Sequence, residues 1–156
     1  MSELFIGSDH GGFELKQSLL EQFARQKISV IDIGAHQLHE DDDYPLYAGI
    51  LAEKVGQKEL CLGILICRSG QGMAIVANKF PGIRAAVAWT EGVAAAGRAD
   101  DAINILCLPA DYVTSDKAWK IVQTWLKTQV KTEEKYLRRI REIKQIEAKI
   151  KQSIRS

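Results

Sequence analysis

The segment Cys67-Arg68-Ser69-Gly70-Gln71-Gly72-Met73 follows directly on Leu60–Cys67, a run that is almost wholly apolar. Glycines at 70 and 72 let the backbone curl so that successive N–H groups converge on one point, an anion-binding nest. A thiol there sits near the positive end of the next helix and beside Arg68. Both neighbours favour thiolate and therefore a lower pKa, which makes Cys67 a candidate base or nucleophile. The competing reading is a buried structural cysteine. Cys61 and Cys107 read that way, inside apolar runs with no glycine nest or cation beside them.

A second group is Asp9-His10-Gly11-Gly12. An Asp and a His leaving a strand, followed by glycines that allow close approach, could hold a hydroxyl and an anion above a helix N-terminus. Equally, Asp9 is a helix cap and His10 simply faces solvent. The spacing is neither a dinucleotide fingerprint nor a Walker loop. Asp100 and Asp101, after Arg98, offer adjacent carboxylates for proton exchange or sugar hydroxyls, or else a solvated helix end. Tyr44-Pro45 reads as a pocket lid or as loop packing. His36 and His39 precede acids at 40–43, but their spacing is not that of metal ligands, and no metal is expected. Lys135 and Arg139 lie four apart, on one helical face, and could clamp a phosphate together. Arg138 and Arg141 point elsewhere and read as solvated or salt-bridged.

The elements that must position these groups alternate in type. Leu4–Ile6 reads as a strand, 13–24 as a helix with apolar residues at Phe13, Leu15, Leu19, Leu20 and Phe23, and Ser29–Ile33 as a second strand. A polar loop over 35–44 leads to a helix opened by Pro45 and running to about Val55. Leu60–Cys67 has the continuous apolar character of a strand covered on both faces. A helix through Asn78, a strand over Ile83–Trp89, a helix over 90–98, a strand over Asn104–Leu108 and a helix over Ser115–Leu126 follow. Alternation at this pitch predicts an α/β fold, a Rossmann-like three-layer sandwich on a mostly parallel five-stranded sheet. Ligands in such folds bind beyond the carboxyl ends of the strands. Ile140, Ile143, Ile146, Ile150 and Ile154 then recur at steps of three and four, so a C-terminal amphipathic helix with one apolar face closes the chain. We divide the chain into a domain over 1–130 and a helical extension of it over 131–156, whose stripe lies on its own domain or reaches a partner subunit. The length of that helix favours a partner.

The 156 residues, 46% hydrophobic and 26% charged, suit one domain. No apolar run approaches the ~20 residues of a membrane span, and Met1–His10 lacks the pattern of a signal peptide. Three cysteines without close pairing fit a reducing cytoplasm. Ten of the basic residues and four of the acidic ones fall in 127–156, net +6, leaving −5 for the remainder. That basic tail could attract RNA, a membrane surface or a phosphate. The isoleucine stripe already accounts for the helix and no aromatic platform accompanies it, so neither nucleic acid nor membrane is expected as a partner.

Together the motifs resemble the ribose-5-phosphate isomerase B / galactose-6-phosphate isomerase family, from Leu4 to about Ile143. They are Gly7-Ser8-Asp9-His10-Gly11-Gly12-Phe13, Asp43-Tyr44-Pro45, Gly63-Ile64-Leu65-Ile66-Cys67, Gly70-Gln71-Gly72-Met73, Ala77-Asn78-Lys79, Gly82-Ile83-Arg84-Ala85 and Asn104-Ile105-Leu106. The resemblance implies an intramolecular oxidoreductase that interconverts aldose and ketose phosphates without metal or cofactor, with sites at the interface of a homodimer, which could pair further into a tetramer. It implies Cys67 as the base moving a proton between C2 and C1, with N–H groups around Gly70, Gln71, Gly72 and Met73 stabilising the enediolate. Ser69 would exchange protons with the sugar oxygens. Asp9 and Tyr44 would contact hydroxyls, and His10, Lys135 and Arg139 would hold the phosphate.

Three positions depart from the family pattern. Its usual His-Asn-Asp falls on Asp100-Asp101-Ala102, so Asp100 is expected to transfer the ring-opening proton and Asp101 to bind sugar. Arg68 stands where glycine is usual, and Asp111 where arginine is frequent. One reading has Arg68 supplying the lost cation to the phosphate; another has a different substrate. Ribose 5-phosphate is the expected substrate, with a galactose or allose 6-phosphate isomerase, or a sugar-phosphate binder that has lost turnover, as the alternatives.

Overall fold

The computed structural model describes residues 3–58 and 60–155, with side chains through residue 153; Ile154 of the expected stripe lies outside the described side chains. The elements are β1 (Leu4–Ser8), a single 3-10 turn (His10–Gly12), α1 (Phe13–Arg25), β2 (Ile31–Asp32), α2 (Tyr44–Gly56), β3 (Leu62–Cys67), α3 (Gln71–Ala77), β4 (Ala85–Val87), α4 (Glu91–Asp101), β5 (Ile105–Pro109), α5 (Ser115–Lys127) and α6 (Glu134–Arg155). The strands form one sheet in the order β2-β1-β3-β5-β4, and every pairing is parallel.

Strand alternation divides the core in two. Leu4, Ile6, Ile64, Ile66, Leu106 and Leu108 point to the face covered by α1, α4 and α5. Phe5, Leu65, Cys67, Ile105 and Cys107 point to the face covered by α2 and α3. This is why β3 reads as unbroken apolar sequence: neither face sees water. Gly63 is the one gap in it, because the Leu51 side chain of α2 lies 2.3 Å from where a Cβ would stand. Right-handed crossovers dictate the layers. The chain moves one way along the sheet from β1 to β2 and from β4 to β5, and the other way through β2, β3 and β4, so the connecting helices fall on opposite faces.

The edges are shorter than the sequence suggests. The second strand was expected over Ser29–Ile33, but regular pairing is confined to Ile31–Asp32, against Phe5 and Ile6; past it the chain still follows β1, the Ser8 N–H donating to the Gly34 carbonyl and the Ala35 N–H to the Ser8 carbonyl, across Gly34 at φ +115°. The fourth covers Ala85–Val87. Conversely α4 runs to Asp101 and ends at Ala102 in the left-handed conformation (φ +51°), so Asp100 and Asp101 belong to its last turn. No helix among the described residues is long and apolar enough to cross a membrane.

On α6, Ile143, Ile146 and Ile150 remain 44%, 58% and 55% exposed. They line an 840 Å³ groove with Pro81, Ile83 and Ile103, bridged by the Gly82 N–H donating to Glu147 Oε1 at 2.8 Å. The apolar stripe exists, and its own chain covers only part of it.

Candidate active site

Because α1 and α5 leave β1 and β5 on one face while α3 leaves β3 on the other, the carboxyl end of β3 is a switch point on both sides. Cys67 is its last residue. Two clefts flank this point. One, of about 590 Å³, is lined by His10, Gly11, Glu14, Leu38, Glu40, Arg68 and Asp111. The other, of about 520 Å³, is lined by Ser69, Gln71, Val87, Trp89, Pro109 and Tyr112.

Cys67 is buried at 5% exposure. Gly70, at φ +74°, turns its N–H onto the sulfur at 3.2 Å, and the Ser69 and Met73 N–H groups point to the same atom. The nest therefore closes around Sγ itself. The expectation of a thiol below its ordinary pKa is overturned. Burial pushes it up, Asp9 adds to that, and the N–H groups of Met73, Gly70 and Ser69 offset only part of the rise. Arg68 does not help, because its guanidinium reaches outward to Asp111 (Nη1 to Oδ2, 3.6 Å) and is two-thirds exposed. The backbone donors favour the anion, and burial, the larger effect, disfavours it.

Tyr44 opens α2 and lays its ring on the same loop: a Cβ on Gly72 would stand 2.6 Å from it. Ser69 Oγ accepts the Gln71 N–H at 3.3 Å. Asp9 is buried and accepts the Gly12 N–H at 3.0 Å, as a cap would, and burial raises its pKa. Gly12 itself packs on the Ile66 carbonyl, 2.4 Å from a notional Cβ, which draws the 3-10 turn against β3. His10 does not simply face solvent. Its backbone N–H and its Nδ1 both meet Asp42 Oδ1 at 2.8 Å. The side-chain bond to Asp42 raises the His10 pKa, so the ring favours the cation.

The second set of expected residues gathers elsewhere. Lys131 Nζ bonds Asp100 at 2.6 Å and the Tyr136 hydroxyl at 3.1 Å. Lys131, Lys135 and Arg139 surround the Tyr136 ring at 4.6, 4.8 and 5.9 Å. Lys135 and Arg139 thus share one face, as their spacing requires. Arg138 pairs with Glu142, and Arg141 with Glu134. Asp101 lines the groove under α6. Among the described residues, none from this α4–α6 cluster lines either cleft at the end of β3. Within one chain the structure therefore brings together Cys67, Ser69, Gly70, Gln71, Gly72, Met73, Tyr44, Asp9, His10 and Arg68, and sets Asp100, Asp101, Lys135 and Arg139 apart from them.

Two residues that position the site were missed in the sequence. Asp42 was one acid in a run of four. Lys16 is fully buried and donates to both Asp32 oxygens at 2.8 Å and to the Ala35 carbonyl at 2.5 Å. Its signal was legible: with Leu19, Leu20 and Phe23 it falls on the apolar stripe of α1, where a lysine needs a buried partner.

Residues 4–143 match the profile of a family described as Ribose/Galactose Isomerase. The chain is 41% identical over 126 residues, 81% of its length and 83% of the other's, to a Mycoplasma pneumoniae protein named a probable ribose-5-phosphate isomerase B. The fold superposes with a TM-score of 0.90 on the crystal structure of ribose-5-phosphate isomerase B from Mycoplasma genitalium with bound ribulose-5-phosphate, at 37% identity over 94% of this chain and 96% of that one. A ribose-5-phosphate isomerase B from Clostridium thermocellum matches at the same TM-score, 40% identical over 95% of this chain and 99% of that one.

Proposed function

The chain belongs to the ribose/galactose isomerase family, and from that membership we propose that it interconverts ribose 5-phosphate and ribulose 5-phosphate. It is an aldose–ketose isomerase, and the observation that carries the choice of pentose is its likeness to an enzyme whose crystal structure holds ribulose-5-phosphate. The site supports the chemistry. With its thiol proton released to water, Cys67 takes the C2 proton of the open-chain aldose as the C2–H bonding pair forms the C1–C2 double bond of the enediolate and the carbonyl pair moves onto O1. It returns that proton to C1 as the ketose forms. Ser69 carries the accompanying proton between O1 and O2. The Gly72 N–H, the one of the Gly70–Met73 turn given neither to Sγ nor to Ser69 Oγ, is left for the developing oxyanion, Asp9 and Tyr44 engage hydroxyls, and His10 with Arg68 receives the phosphate, which anchors C1 and C2 beside the sulfur.

A homodimer completes this reading. The cluster of Asp100, Lys135 and Arg139 lines neither cleft at the end of β3, and the half-exposed isoleucines of α6 need a cover. A second copy that brings the cluster over the Cys67 mouth supplies the ring-opening carboxyl and two more phosphate cations. A cytoplasmic setting accords with three free thiols. The direct test follows ribulose 5-phosphate formation from ribose 5-phosphate, with galactose 6-phosphate and allose 6-phosphate in parallel. Turnover of a hexose phosphate in preference to the pentose would overturn the substrate assignment.

A further inference from the structure

His10 enters the site with half of its hydrogen-bonding capacity already committed. Its backbone N–H and its ring Nδ1 converge on a single oxygen, Asp42 Oδ1, each at 2.8 Å, from a residue 32 positions away. The carboxylate is 9% exposed, whereas the imidazole is 31% exposed and lines the 590 Å³ cleft. With Nδ1 turned into the protein, Nε2 is the ring atom left for the cleft. The loop that carries Asp42 is fixed at its other end by Lys16, through Asp32 and the Ala35 carbonyl. The carboxylate thus approaches the ring from a scaffold anchored on both sides.

Resting on the isomerase reading above, we propose that Asp42 is a positioning residue for phosphate binding: it turns the His10 ring so that Nδ1–H is held inside the fold and Nε2–H is presented to the phosphate of the bound sugar. The charges around the ring agree. Asp9 precedes it on the β1 exit, Glu14 faces it from α1, Glu40 from the loop, Arg68 from the turn after β3, and Asp111 from the turn after β5. Arg68 is drawn to Asp111 and shares its charge there, so an imidazolium in that cleft needs a counter-charge of its own to persist. Asp42 provides it from behind, and although burial works against its charge, the His10 backbone N–H and then the His10 ring hold its carboxyl below the ordinary pKa. A neutral ring would offer one donor only, and which nitrogen carried it would be open. The carboxylate settles both the tautomer and the charge.

Asp42→Asn separates this role from mere tethering of the loop, because the amide oxygen still accepts both His10 donors while the charge is gone. Two readouts decide. The first is the His10 imidazole titration by NMR, with His36→Gln and His39→Gln assigning the other two histidines. Inorganic phosphate is then added to probe the His10 resonance. The second is the pH dependence of KM for ribose 5-phosphate. A phosphate monoester is already dianionic above about pH 7, so a rise in KM there belongs to the protein. In the variant the imidazole should titrate at lower pH. KM should rise roughly fivefold at pH 7.5, stay within about twofold at pH 5.5, and leave kcat within about twofold, one pKa unit being a tenfold change in proton affinity. An unmoved imidazole titration, or KM curves that superimpose, would overturn the proposal. A shifted titration with no response of the His10 resonance to phosphate would overturn it too, and would leave the isomerase reading intact. Were the unsubstituted protein inactive on sugar phosphates, that reading would fall, and the phosphate response of His10 would still decide the role of Asp42.

Discussion

At the scale of single residues, Cys67 sets two effects against each other. Burial holds its thiol above the ordinary range, while three backbone N–H groups wait on the sulfur for the anion. The sign of the pH dependence follows. Below the thiol's raised pKa, thiolate increases tenfold per pH unit, so kcat should rise through neutral pH and level off only above the range of an unperturbed thiol. A rising limb complete by pH 7, measured with saturating ribose 5-phosphate, would mean that the thiol is not raised in the enzyme–substrate complex. Cys67→Ala should lower kcat by roughly 10³-fold, within the usual 10²–10⁴ for a proton-transfer group, with the far-ultraviolet spectrum unchanged. Asp100 stands differently, since its proposed task is upstream of the enediolate. Asp100→Asn should slow a cyclic aldose phosphate more than an open-chain one; equal losses in the two assays would remove the ring-opening role. The nest was readable in the residue types alone, glycines 70 and 72 around Ser69 and Gln71. The direction of the thiol's shift was not, because it depends on how deep β3 lies and on where the Arg68 guanidinium turns.

At the scale of elements, each part of the site is placed by a buried constraint. The continuous apolar run of β3 correctly implied a strand covered on both faces, and the helix patterns around it were correct in type and order. Element ends were less legible. The second strand carries three β-branched residues in Ser29–Ile33, yet it is an edge strand with one neighbour, and its regular register covers two residues before the positive φ of Gly34 breaks the extended geometry. The helix pattern over 90–98 leaves Asp100-Asp101 as a solvated helix end, whereas Arg84, just before β4, donates to the Asp101 and Ala102 carbonyls and caps a helix that runs on to Asp101. Lys16 tests how firmly α1 and β2 are held to the site. Lys16→Met keeps the length and apolar stem but leaves Asp32 without its cation and the Ala35 carbonyl without its donor. Removing one partner of a buried pair costs about 3 kcal/mol, in the lower part of the usual range because Asp32 is partly open to water. Urea denaturation should show this loss with an unchanged m-value. A loss below about 1 kcal/mol would mean that water replaces the ammonium, and that the loop over 33–43 is not anchored by it.

At the scale of the whole molecule, the decisive fact is that the expected site residues form two clusters on one chain. Spacing predicted that Lys135 and Arg139 share a helical face, and they do, around Tyr136. No sequence pattern states which cleft a face will meet, since that depends on a neighbour supplied by folding or by assembly. If a second copy brings this face over Cys67, each complete site draws its base from one subunit and its distal cations from the other. Subunit mixing examines that arrangement directly. Cys67→Ala alone and Lys135→Ala/Arg139→Ala alone should each be nearly inactive. Unfolded together in equal amounts and refolded, half of the dimers are mixed, and each mixed dimer holds one site with neither defect. Activity should therefore return to roughly a quarter of the unsubstituted level, because half the dimers carry one intact site of two. If each site were built within one chain, every site in the mixture would retain one defect and no activity would return. Sedimentation velocity on the same mixture reports whether dimers formed at all. Dimers without recovered activity would mean that base and cations of each site come from the same chain, full activity of Lys135→Ala/Arg139→Ala alone would place those two residues outside the site, and monomers would leave the isoleucine face of α6 to be covered by some other means.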